Sequence, residues 1–222
     1  MTGRQRLAGW LYFAFQLLVL PDALRLLNTA LPNPMDLAQL NMLMFAVNFV
    51  AIWAIFHRYL WKNLTYSFRN AWKTLKTAFL GFCVYYVANM LLNELIFWIS
   101  PDFSNVNDSN IQTQAQGYYG LMAIGVVVLV PVAEEMLYRG LIFGSIYAKN
   151  RFLGYAVGAV LFAAVHVLGY IGQYDYFRLS LCFLQYLPAA LVLAWSYVEA
   201  DSIWAPILIH MTINLIGILA MR

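Results

Sequence analysis

Runs of about twenty apolar residues recur along this chain with almost no charge inside them, and such runs are matched to the thickness of a bilayer's hydrocarbon core. They lie near residues 7–27, 37–57, 77–99, 118–148, 152–171, 179–198 and 203–220. Each rises roughly 30 Å as a helix. Their apolar character is continuous rather than alternating, which is the pattern of helices and not of a barrel, and lipid admits no other spanning backbone. The expected fold is all-α: a polytopic transmembrane helical bundle of about seven spans. A hydrophobic content of 63% and a charged content of 10%, against about 25% charged in soluble domains, agree with that reading. The formal charge of +3 is too small for a nucleic-acid-binding surface, so no nucleic-acid partner is expected.

Trp10, Trp61, Trp98, Tyr118 and Trp204 stand near the ends of the runs, as in the aromatic belts of membrane interfaces. Arg4 and Arg6 precede the first run, and no small-residue cleavage site follows before Pro21, so this segment reads as an uncleaved span. Arg58, Lys62, Arg69, Lys73 and Lys76 alternate with large apolar residues in a basic amphipathic segment that suits an anionic leaflet. With Arg4, Arg6, this segment, Lys149 and Arg151 on one side, the positive-inside rule puts the amino terminus in the cytoplasm. The polar stretch 101–117 is expected to be an exposed, mobile loop. Cys83 and Cys182 fall inside apolar runs and read as buried thiols. Residues 1–222 form one integral-membrane domain: amino-terminal spans and the basic segment over 1–117, then a core over 118–220.

That core carries polar islands where an ionised group costs a few kcal/mol. Glu134 and Glu135 are adjacent, His166 follows Phe162 by four residues, and His210 precedes Asn214 by four. Glu134 and His166 stand about sixteen residues on either side of Asn150. If both arms are helical and antiparallel, the two residues share one height, roughly 24 Å along each arm. Gly140, Gly144, Gly154 and Gly158 offer small faces for close approach of those arms. Glu135 and Arg139 have the spacing of an internal ion pair, and Pro206 is placed to bend the last run toward the bundle.

The chemistry this inventory supports is amide hydrolysis, with Glu134 accepting a proton from an attacking water and His166 holding that water. His210 and Asn214 would donate hydrogen bonds to the tetrahedral oxyanion. Glu135 and Arg139 would support the site, and Phe162 would pack against His166. No cofactor is needed for this scheme. A zinc site on Glu134, His166 and His210 is the competing arrangement, although no His-Glu-x-x-His motif is present.

The ordered set Glu134-Glu135-x-x-x-Arg139, Phe162-x-x-x-His166 and His210-x-x-x-Asn214 resembles the CPBP (CAAX protease and bacteriocin-processing, or Abi) family of intramembrane endopeptidases, which includes the Rce1-type CAAX enzymes. The resemblance covers about residues 118–220. It implies a glutamic-type membrane protease in which Glu134 activates water, His166 is the partner base, and His210 with Asn214 forms the oxyanion site. It also implies a peptide or protein-tail substrate, contact with membrane lipids, and residence in a bacterial cytoplasmic membrane. Two other readings of the chain are a non-catalytic immunity or scaffold protein that binds a peptide, and a proton-coupled transporter. The latter lacks the internal repeat common to such transporters.

Overall fold

A computed structural model describes residues 1–221. Eight helices follow in chain order: α1 (Gly3–Leu18), α2 (Leu20–Thr29), α3 (Leu37–Arg69), α4 (Ala71–Ile99), α5 (Val106–Tyr147), α6 (Arg151–Leu168), α7 (Tyr176–Ala200) and α8 (Trp204–Ala220). Their starts are written in the sequence. Thr2 with Gln5 and Asp36 with Gln39 form capping boxes, and Asn105, Asn150 and Asp175 accept hydrogen bonds from the first turns of α5, α6 and α7.

The chain is an all-α membrane bundle, but the count of seven spans is not reached. Among the described residues, α3, α4, α5, α6 and α7 are long and apolar enough to cross a membrane. A sixth crossing requires α1 and α2 together, which meet at a 50° bend. Pro21 lies in the first turn of α2, and a hydropathy window does not register such a break. The last run is α8, whose 17 residues rise only about 26 Å. Pro206 sits in its first turn, where a missing N–H costs nothing, so it starts the helix instead of bending it. The basic segment is likewise not a helix of its own. Arg58, Lys62 and Arg69 end α3, Lys73 and Lys76 begin α4, and the break falls at Asn70.

The main core gathers Ile52, Phe56 and Leu60 of α3, Met136, Leu137 and Leu141 of α5, Phe162 of α6, Leu193 of α7 and Ile207 of α8. Outside this core, Phe68, Trp72, Trp98 and Phe152 are largely exposed. Such apolar exposure is what a lipid-facing surface presents. Gly154 permits α6 to press against the end of α5, since a Cβ there would lie 2.9 Å from the Tyr147 Cα.

The expected loop 101–117 is helical from Val106 onward, so α5 begins much earlier than hydropathy implies. This first stretch bridges across the bundle. Asn105 donates to Gln185 of α7 (2.8 Å), and Asn110 donates to the Tyr170 hydroxyl that follows α6 (2.9 Å). At the other end, Asn41 of α3 donates to Gln114 (2.8 Å). The helix then changes direction at Tyr118, whose φ of −138° and ψ of 47° are not helical. Hydropathy measures fitness for lipid, and a polar helix that roofs a cavity scores as a loop.

Candidate active site

Beyond Tyr118, α5 enters the bundle with two π-helical turns, Gly125–Leu129 and Met136–Phe143, on either side of the α-helical Val130–Glu135. Each widened turn inserts a residue, a device that recurs at functional sites because it resets which way the following side chains point. Pro131 follows the first of them, where the altered register accommodates a residue without an N–H. Between these turns stand Glu134 and Glu135. Consecutive helical residues point about 100° apart, so the pair divides between two environments.

Glu134 faces a cavity of about 510 Å³ that is also lined by Phe162, His166, Tyr186, His210 and Asn214. Its Oε2 lies 3.9 Å from His166 Nε2 and has no hydrogen-bond partner among the described residues. The equal spacing about Asn150 thus does bring acid and imidazole to one height. The Phe162 carbonyl accepts a hydrogen bond from His166 Nδ1 at 2.7 Å. A carbonyl only accepts, so the proton is on Nδ1, and the lone pair of a neutral His166 is on Nε2, toward Glu134.

Glu135 is completely buried and turns away from the cavity lining. Its Oε1 accepts from Arg139 Nη1 at 2.9 Å and from His210 Nδ1 at 2.8 Å. The Arg139 guanidinium also lies 4.0 Å over the Phe162 ring and donates to the Ala190 carbonyl at 3.4 Å. Both donors meet Oε1, while Oε2 is buried without a hydrogen-bond partner among the described residues, so the cost of burying the charge is only partly offset. Phe162 is the shared wall, with its ring centroid 4.7 Å from His166 and 6.1 Å from His210.

Because the Glu135 carboxylate holds the Nδ1 proton, the other nitrogen of His210 acts as a donor only when the ring is an imidazolium. Asn214 lines the cavity but is partly committed, since its Nδ2 donates to the Val126 carbonyl at 2.8 Å. That bond ties α8 to the first π turn and leaves one amide N–H for another acceptor. Among the described residues, no group of three His, Cys, Asp or Glu side chains converges as metal ligands.

Three features of the site were not anticipated from the sequence. Tyr186 of α7 stacks on His166 with ring centroids 4.1 Å apart. Asn105, Asp108, Asn110 and Gln114 of the bridging stretch line the cavity. A chain of carboxamides, Asn105 to Gln185 (2.8 Å) and Gln185 to Asn93 (2.7 Å), continues that wall. The density of Asn and Gln over residues 105–114 was the available signal.

Residues 116–216 match the Rce1-like family, described as type II CAAX prenyl endopeptidase Rce1-like. The chain is 32% identical over 90 residues to the UPF0177 protein YxdF of Lactococcus lactis, covering 40% of this chain and 44% of that protein. It is also 32% identical over 95 residues to the protein named "Putative membrane peptidase YdiL" of Bacillus subtilis, covering 42% of this chain and 34% of that one. The chain thus matches less than half the length of these curated relatives. No solved structure matches it. The similarity to the Rce1-like family thus covers the stretch that carries Glu134, Glu135, Arg139, Phe162, His166, His210 and Asn214.

Proposed function

We propose that this chain is an intramembrane endopeptidase of glutamic type, cutting a peptide bond in a membrane-associated peptide or in the terminal tail of a membrane protein. The observation that carries the proposal is the approach of Glu134 Oε2 to His166 Nε2, 3.9 Å apart and facing one cavity. A water set to one side, about 2.8 Å from each, donates one proton to the carboxylate and the other to the imidazole. Its lone pair is then free to attack a carbonyl carbon.

In the attack, the water oxygen bonds to that carbon and its proton passes to Glu134. The negative charge that develops on the carbonyl oxygen meets the imidazolium Nε2–H of His210 and the remaining N–H of Asn214. Collapse of the tetrahedral intermediate breaks the carbon–nitrogen bond as the proton is returned to the leaving amine. One carboxylic acid and one amine result, with no electron transfer and no covalent enzyme intermediate. Glu135 and Arg139 hold His210 in place and take no part in the bond changes.

The test is to compare the termini of membrane proteins in cells making the wild-type chain and in cells making Glu134→Gln. The reading predicts new termini that require Glu134. Identical sets of termini would reject it.

A further inference from the structure

The hydrolytic scheme leaves one charged group of the cavity unused. Asp108 lines the same space as Glu134 and His166, and no Lys or Arg is among the described residues that line it. Asp108 also borders a second cavity of about 440 Å³, lined further by Pro101, Phe103 and Ser104. Asn105 and Gln185 border both spaces as well. Asp108 therefore stands where the second cavity adjoins the site itself. Among the described residues it makes no ion pair.

Its distance from the chemistry is set by a single side chain. Asp108 Oδ1 lies 3.5 Å from the Tyr186 hydroxyl, and the Tyr186 ring stacks on His166 at 4.1 Å. An extended peptide advances about 3.3 Å per residue, so a side chain that reaches Asp108 belongs within about three residues of a bond held at Glu134 and His166. The neighbouring carboxamides bond to peptide backbone without regard to charge, because each offers both a donor and an acceptor. The carboxylate does distinguish charge: it attracts a cation and repels an anion.

We infer that Asp108 is a substrate-selecting residue that receives a cationic nitrogen of the peptide, a Lys or Arg side chain or a free amino terminus, within about three residues of the scissile bond. The inference rests on the peptidase reading for the fate of the peptide, and its test reads binding alone. The full chain carrying Glu134→Gln, in which Asp108 is the remaining carboxylate of the cavity lining, is placed in phosphatidylcholine nanodiscs. The probes are dodecapeptides of alanine and leucine, acetylated and amidated, with a single central Lys, Gln or Glu. A fourth probe is the Gln peptide with a free amino terminus.

The Lys peptide or the free-amine peptide is expected to bind at least tenfold more tightly than the Glu peptide, and the stronger of the two identifies which nitrogen is read. Asp108→Asn should bring the affinities within about twofold, and Asp108→Lys should reverse their order. The reversal is a readout that simple misfolding does not produce. Equal affinities, no measurable binding of either cationic peptide up to millimolar concentration, or a cationic preference that survives Asp108→Asn would overturn the inference. Failure of the peptidase reading is seen separately, as termini that do not depend on Glu134.

Discussion

The buried carboxylate of Glu135 holds His210 through a 2.8 Å hydrogen bond while the same oxygen accepts from Arg139 at 2.9 Å. The adjacent glutamates therefore have separate tasks, one facing the cavity and one holding the histidine of another helix. Removing Arg139 takes away one of the two donors on Glu135 Oε1 and leaves the buried carboxylate to His210 alone. Arg139→Met is predicted to destabilise the protein by about 3–5 kcal/mol, whereas the paired change Glu135→Gln with Arg139→Met recovers much of that loss. Thermal unfolding in detergent measures both.

Glu135→Gln alone keeps an oxygen that can accept from His210 Nδ1 but removes the negative charge beside the ring to which the proposed mechanism gives an oxyanion-facing N–H. It also leaves the buried Arg139 guanidinium without its counter-charge, so a stability loss of about 3–5 kcal/mol accompanies it and turnover is to be read on the folded fraction. The loss of one effective oxyanion donor is expected to lower kcat by about a hundredfold, with a smaller effect on KM. Steady-state kinetics on a substrate identified from membrane-protein termini provides the check.

Asn214 makes a structural bond to the Val126 carbonyl, and the proposed mechanism assigns its other N–H to the developing oxyanion. Asn214→Ala should cost about 1 kcal/mol of stability and a further hundredfold in rate. Unfolding and turnover measured on the same preparation separate the two effects.

Tyr186 acts by stacking on His166. Tyr186→Leu gives up an aromatic contact worth about 0.5–1.5 kcal/mol and should reduce turnover by about two- to tenfold. Tyr186→Phe retains the ring and should keep turnover within about twofold. Comparing kcat for the two variants tests the assignment.

The glutamic mechanism predicts that dialysis against a strong chelator leaves turnover unchanged and that added zinc does not raise it. Metal analysis of the dialysed protein, run beside the kinetic assay, is the measurement.

The path from sequence to site was clearest where it depended on helix arithmetic. Glu134 and His166 could be placed near one height because a single short turn joins their helices and equal numbers of residues separate them from it, an approximation that the π stretch Met136–Phe143 shifts by only part of a turn. The Glu135–Arg139 pair followed from i,i+4 spacing for the same reason. What lay outside that arithmetic was the rotation of one helix against another. His210 was visible as a polar interruption of an apolar run, but its bond to Glu135 depends on how α8 packs against α5. Tyr186 carries no pattern that separates it from other tyrosines of the bundle. The stretch 105–114 was misread for a different reason, since polarity that excludes lipid contact is equally suited to lining a watery cavity.

The central claim is that Glu134 and His166 act on one water, and a double-mutant cycle in turnover tests it most directly. Glu134→Gln and His166→Ala should each reduce kcat by at least a thousandfold, and the double variant should be little worse than either single one, because groups that act as a unit are not additive. Independent, multiplying losses, or a Glu134→Gln protein within about twofold of wild type, would contradict the account.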